Sequence, residues 1–458
     1  MNRFKKLHTL FGILAAVIMF SCDELIEVDN PRTQLIKSTI FEDDITAQAA
    51  VAGLYTRFSS NAGSYSSITY LASLSADEAT LVNNALDEQF YDNAIVETNS
   101  RVQDVWSGSY ERIYLANSII EGLHNSRITT ALKNQLTGEA LFLRAFSHFY
   151  LVNIFGDVPY ITTTDYEENG TASRETVSTV YEKLIKDVID AHDLLANDYS
   201  YSNGERVRVN RWVANAFLAR VYLFNGNWQA AEDLATAVIE SSEIFDLVEL
   251  TDVFLKNSKE TIWQLMPIST QKYTNDAGVF YRPSYASGYP VLTQWQFDAF
   301  DDDDARKTAW VKSGSSGALT WHYPVKYREV QATATGAEYS TVIRLAELYL
   351  IRAEARVRLG KLTGAGSATE DINVIRDRAG LPETEASSET DLLRAIDQER
   401  RAELFTEWGH RWLDLKRTNR AATVLEPIKA GWQDTDILYP IPQAERLLNP
   451  NLDKNPGY

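Results

Sequence analysis

The 458-residue chain has a single cysteine, Cys22, so no disulfide can form within it. Even in an oxidising compartment its stability must come from an ordinary core, and a chain of this length can bury one. Long apolar runs are scarce too. The run Leu10 to Phe20 has eleven residues, against the roughly 20 of a bilayer span. Positive charge is short: 44 Lys and Arg against 63 Asp and Glu give a net charge of −19. Such a field repels phosphate backbones, which argues against nucleic acid as a partner. The six histidines (His8, His124, His148, His192, His322 and His410) fall into no metal-ligand spacing. There is no G-x-S-x-G elbow and no phosphate loop. Acid pairs suited to glycoside hydrolysis carry no information among 63 acids.

What is present begins at the N-terminus. "MNRFKKLHT" carries Arg3, Lys5 and Lys6 and no acid, and the apolar run follows. This is the pattern of a secretory signal peptide over residues 1–21. A cut between Ser21 and Cys22 makes the thiol the new N-terminus, where a bacterial lipoprotein carries its acyl chains. Met19 stands where the usual motif has Leu, and bulky Phe20 follows it. The alternative is a cysteine lying beside an ordinary cleavage site. Removal of the peptide takes away three positive charges and no negative one, leaving the mature chain near −22.

Most of the remainder has helical period. Trp106, Tyr110, Ile113, Asn117 and Ile120 recur at steps of three and four, as do Val180, Leu184, Val188 and Leu195. The helix through "LFLRAFSHFYLVNIFGDVP" should stop at Gly156. "LARVYLFNGNWQAAEDLATAVI" spaces Ala219, Tyr222, Gly226, Trp228, Ala231 and Ala235 as a tetratricopeptide-type hairpin does. "IRAEARVRLGKL" repeats its first half with Ala353 and Gly360, and "LRAFSHFYLVNIFG" is a looser version. The fold class expected is mostly α: a scaffold of tetratricopeptide-like hairpins with long loops and a few short strands. The helical region runs over 22–240, and 241–458 holds a loop-rich insertion and closing helices. "KETIWQLMPI" reads as a short buried strand containing Trp263. The rest of 242–340 reads as long loops, including "KSGSSGALTWHYP", and 60–96 has the same character. "DDDDAR" (Asp301 to Arg306) reads as a solvated acidic turn, since Ala305 and Arg306 stand where a calcium loop needs an oxygen ligand and a glycine.

Five stretches then carry a family resemblance: "CDELIEVDNP", "LFLRAFSHFYLVNIFGDVPYI", "STVIRLAELYLIRAEARVRLG" with "DINVIRDRAGLP", "QERRAELFTEWGHRWLDLKRTNR" and "LYPIPQAERLLNPNLDKNPGY". They closely resemble the SusD/RagB family of bacterial nutrient-uptake lipoproteins, over nearly the whole mature chain. The resemblance implies a helical SusD-like fold and an outer-membrane lipoprotein lipidated at Cys22 and facing the cell exterior. It also implies a SusC-like TonB-dependent transporter as partner and a glycan or other nutrient as ligand. No catalytic residue, cofactor or metal is implied. Asp23 and Glu24 resemble the acidic signal that sends such lipoproteins to the outer face. Glu399, Arg400, Arg401, Glu403, Glu407, Arg411 and Asp414 sit at helical neighbour spacing, suited to structural ion pairs. The closing "NPNLDKNPGY" should pack as an extended tail.

Sugars offer apolar C–H faces and hydroxyls, so a binder needs flat rings beside polar partners. Trp106, Trp228 and Trp263 have periodic reasons to be core. The ligand candidates are the loop aromatics Tyr91, Tyr281, Tyr285, Tyr289, Trp295 and Trp321, with Asp77 and Asn93 as polar neighbours, converging from 60–96 and 270–325. A secreted helical carbohydrate hydrolase is the alternative function, and a purely structural repeat adapter leaves the aromatic loops unused.

Overall fold

The computed structural model describes residues 40–60, 65–81, 83–268 and 270–458. Cys22 and the signal-peptide segment 1–21 lie outside the described residues. The fold is mostly helical, with 18 α-helices and six short strands among the described residues. None of these helices is long and apolar enough to cross a membrane.

The frame is a stack of antiparallel pairs. The long helices α4 (Ser100–His124) and α5 (Thr130–Phe155) pack together, and α7 (Val177–Leu194) lies on α5. Next come the hairpin α8 (Arg211–Phe224) and α9 (Trp228–Ile239), then α13 (Leu345–Arg358), α14 (Ala368–Arg378) and α15 (Glu389–Glu403). The turn of the α8–α9 hairpin has Gly226 at φ +76°, a conformation glycine adopts without strain. Asn227 caps α9 by accepting from the Ala230 N–H. Ala219, Ala231 and Ala235 are fully buried where the pair touches, as the spacing predicts. Helix α5 ends at Gly156, whose φ is +74°.

Buried arginine–carboxylate pairs link the layers of the stack. Arg144 grips Asp187 with two bonds of 2.7 Å between α5 and α7, and Arg220 grips Glu347 the same way between α8 and α13. Arg352 and Arg356 share Asp371 between α13 and α14. Truncating one partner of such a pair strands a buried charge, so these contacts fix which helix faces meet.

Two stretches expected to be loops are regular structure. Residues within 60–96 form α2 (Tyr65–Ser75), the two-residue strand β1 (Ala79–Thr80) and α3 (Ala85–Tyr91). The buried face of α2 mixes Ile68 and Leu71 with Thr69, Ala72 and Ser73, so its period is hidden from a hydrophobicity count. "KSGSSGALTWHYP" holds the hairpin β4 (Val311–Ser316) and β5 (Leu319–Pro324), turning at Gly317 with φ +60°. Gly314 pairs with Trp321 across it. A Cβ there would stand 2.2 Å from the indole, so the ring occupies the space a side chain would take. The sheet order is β1-β3-β5-β4, with β3 at Val291–Leu292. A second sheet pairs β2 (Thr261–Leu265) with β6 (Ser340–Arg344), and it seats Trp263, fully buried, edge-on to Phe142 and Phe146. Trp106 is core as expected, whereas Trp228 is only partly buried.

The C-terminal motif makes ion pairs, but mostly over long range rather than along one helix. Helix α15 stops at Glu403, and α16 (His410–Arg417) starts after Thr406, Trp408 and Gly409, all at positive φ. This break points Glu403 and Glu407 inward. Arg344 reaches Glu260 (2.8 Å), Glu403 (2.6 Å) and Glu407 (2.8 Å). Arg306, Lys326, Arg376 and Arg378 complete a buried cluster with Asp304 and Glu399. In "DDDDAR" only Asp301, Asp302 and Asp303 are solvated. Asp304 is buried, capping the helix over Ala305–Trp310 and clasping Arg306. The tail packs as expected: Asn455 is buried and donates to the Phe155 and Tyr439 carbonyls at 2.8 and 2.7 Å.

Candidate functional site

The regions 60–96 and 270–290 meet at a cleft of about 540 Å³. One wall comes from α2 and the start of α3, the other from the 271–290 segment, and α4 supplies the floor. Asn84 caps α3, and the short strands β1 and β3, paired antiparallel, bring the two chain regions together. Asn83 adds a bond to Ser287 across the rim.

At the centre is Asp87. Its carboxylate accepts from the Tyr70 hydroxyl (2.9 Å), the Asn84 amide (2.6 Å) and the Arg101 Nε (2.9 Å). Burial, with Asp87 alongside, holds the Tyr70 phenol well above its ordinary value, so it stays a neutral donor. The hydrogen bond to Asp87 raises Arg101 further, and its side chain remains 45 % exposed toward solvent. Tyr289 is 48 % exposed and lines the cleft, with the Arg282 guanidinium 3.9 Å from its ring centre, a cation–π stack that holds the ring. Tyr273 lines the same space, with its hydroxyl 3.2 Å from the Gln271 amide. The cleft therefore combines aromatic faces with amide, carboxylate and guanidinium groups, the combination that suits a polyhydroxylated ring. Among the described residues, no group of three or more His, Cys, Asp or Glu side chains is placed to hold a metal ion.

Comparison with known proteins decides the family. Residues 26–223 match a SusD-like family described as starch-binding and associating with the outer membrane, and residues 298–458 match the SusD family. The chain belongs to the SusD/RagB family. A SusD-like protein P2 from Formosa agariphila is 29 % identical, the match covering 99 % of this chain and 100 % of that one. The fold is similar to that of a SusD superfamily protein from Bacteroides vulgatus: TM-score 0.79, 22 % identity, 92 % of this chain and 100 % of that one. It is also similar to a laminarin-binding SusD-like protein, with TM-score 0.77, 24 % identity, and coverage of 91 % and 100 %.

Within this SusD-family chain the eight candidate ligand residues separate. Tyr289 lines the cleft. Tyr281, Tyr285 and Trp321 gather instead into a small aromatic cluster with Tyr323. Trp321 sits on β5, is 5 % exposed, and donates its indole N–H to the Arg282 carbonyl at 2.9 Å. Its packing against Tyr285 ties the hairpin to the 281–291 segment. Asp77 is 3 % exposed, with Arg411 and Arg401 each at 2.8 Å, so it is an internal ion-pair partner and not a free acceptor. Those arginines outweigh its burial and hold its carboxyl below the ordinary value. Asn93 is buried, at φ +52°, and donates to the Ser75 carbonyl. Tyr91 lies over Lys429, whose amine closes the end of α2 on the Leu74 and Ser75 carbonyls at 2.7 Å. Trp295 is 59 % exposed but is not among the residues lining the cleft. Of the cleft residues, sequence reasoning missed Tyr70, Asn84, Asp87, Arg101 and Tyr273. Tyr70 and Asp87 fall in helices hidden within a polar stretch, and Arg101 opens a helix whose stripe is apolar.

Proposed function

We propose that this chain is a surface glycan-binding lipoprotein, anchored through Cys22, that serves a SusC-like TonB-dependent transporter in the outer membrane. It captures glycan and passes it on without cleaving it. The observation that carries the binding part is the cleft between α2, α3 and the 271–290 segment, where the rings of Tyr289, Tyr273 and Tyr70 stand beside Asn84, Asp87 and Arg101. The laminarin-binding relative of like fold makes a β-glucan the first ligand to try. The Asp87 carboxylate is fully engaged by three donors, which suits a role in shaping a binding surface better than attack on a glycosidic bond.

The experiment is a calorimetric titration of the mature protein with laminarin and a panel of α- and β-glucans, with reducing ends measured in parallel. Saturable binding without new reducing ends supports the reading. Release of reducing ends would establish the hydrolase instead. Detergent extraction with mild affinity purification should recover a large β-barrel in near-equal amount, and repeated recovery of this protein alone contradicts the transporter partnership.

A further inference from the structure

A second cleft, of about 460 Å³, opens where the end of α5, the start of α7, helix α16 and the C-terminal tail meet. It shares no lining residue with the glycan cleft. Three cations line it, Lys416, Arg174 and Arg417, and of these Arg417 is held by Glu354 and Asp414. Lys416 donates to the Asn153 carbonyl. Arg174 donates to the carbonyls of Asp157 (2.7 Å) and Asp453 (3.0 Å) and to the Asn455 amide oxygen. All these acceptors are neutral.

That sets the pair apart from Arg144, Arg220, Arg306, Arg344 and Arg417, each of which holds a carboxylate. Arg206 and Lys429 also rely on carbonyls, but each stands alone, and Lys429 meets two carbonyls at a helix C-terminus that is already negative. Here two such cations face one open space in a chain with 63 acids. Burial draws the Lys416 amine down to about 7, and it lowers Arg174 as well, against the opposing pull of the Asp157 and Asp453 charges. Helix α7 begins at the same cleft with Val177, whose N–H bonds Asp157 at 3.0 Å. Among the described residues Asp157 is the only acid lining the cleft, against three cations. Tyr181, Phe224 and Ile437 provide apolar walls.

We propose that this cleft binds a ligand-borne oxyanion, a carboxylate or sulfate ester, between Lys416 and Arg174. The lysine supplies a compact charge with protons not used by Asn153, the arginine a planar fork with spare N–H groups. The apolar walls take the body of the molecule. The inference is independent of the glycan cleft.

Calorimetry with galacturonic acid and with inorganic sulfate tests it, using galactose as the neutral control. The intact mature protein should bind at least one of the two anions with a millimolar dissociation constant that weakens with added salt, and should not bind galactose here. Galacturonate alone points to a carboxylate ligand and sulfate alone to a sulfate ester. Lys416→Met keeps the aliphatic packing and should weaken anion binding about tenfold, with laminarin binding and thermal stability retained. Arg174→Lys, which preserves the charge but loses the fork, should also weaken it. Binding of neither anion, or unchanged anion affinity in Lys416→Met, overturns the proposal.

Discussion

Replacing Arg344 by Met should produce one of the largest single losses of stability in the molecule. Its guanidinium donates to Glu260, Glu403 and Glu407 and to the Glu403 carbonyl at 2.6–2.9 Å. The surrounding cluster balances five cations (Arg306, Lys326, Arg344, Arg376, Arg378) against five acids (Glu260, Asp304, Glu399, Glu403, Glu407). Methionine fills much of the volume but leaves five acids facing four cations, all buried except the partly exposed Arg376 and Arg378. Stranding a buried charge in this way costs about 3–5 kcal/mol. Rings of Phe254 and Trp310 lie 5.6 and 5.8 Å from the guanidinium, apolar neighbours that do little to screen a stranded charge. Equilibrium urea unfolding followed by tryptophan fluorescence measures the loss. The control is Arg394→Ala, which removes the exposed Arg394–Asp391 pair (73 % and 54 % exposed) and should cost under about 1 kcal/mol. Equal small effects from the two variants would refute the view that the C-terminal motif holds the fold through this cluster.

Other outcomes follow from the same geometry. Asp77→Asn should destabilise the protein by about 3 kcal/mol through the stranded Arg411 and Arg401, while glycan affinity stays within error; a selective loss of affinity would return Asp77 to the ligand site. Burial raises the Glu78 carboxyl from 4.5 to about 7, so its contribution to stability is present below about pH 4.5 and is lost as pH rises through 7. Glu78→Gln should therefore unfold like wild type near pH 5 and gain up to about 3 kcal/mol over it by pH 8, and parallel pH profiles would contradict this. Cys22→Ser should shift the protein from the membrane fraction to the soluble fraction without lowering its melting temperature, because two or more acyl chains, at about 0.8 kcal/mol per buried CH₂, are what give stable anchoring; sedimentation with membranes after a high-salt wash points to another attachment. Trp321→Ala should cost about 3 kcal/mol or more in stability, as expected of a ring that seals the space over Gly314.

The helical frame was legible because its signals are local and periodic. Ala219, Ala231, Ala235 and Gly226 stand where two helices touch and turn, and their spacing alone identifies the hairpin. The alternation that marks β5 was masked by the Ser- and Gly-rich β4 beside it, since Gly314 there answers to Trp321 across the ladder and not to any neighbour in sequence. Pairing partners of that kind are not visible along the chain. The candidate site shows the same division. The sequence leads one to expect 60–96 and 270–325 to converge, and Tyr289 lies in the cleft that parts of them form with α4, but exposure of individual rings depends on what packs over them. Tyr281, Tyr285 and Trp321 cover one another, and Asp77 meets arginines more than 320 residues away. Polarity in the sequence described those residues correctly and their surroundings not at all.

The most direct test of the central claim is a laminarin titration of the Tyr289→Ala, Arg101→Ala double variant beside wild type and Trp295→Ala. Tyr289 contributes an aromatic face worth about 0.5–1.5 kcal/mol beyond its area, and Arg101 a charge-assisted donor of about 1.5–3 kcal/mol. The double variant should therefore bind roughly 30- to 2,000-fold more weakly, with its fold intact by circular dichroism, and Trp295→Ala should bind like wild type. Unchanged affinity in the double variant, or loss of binding in Trp295→Ala alone, would contradict the assignment of this cleft.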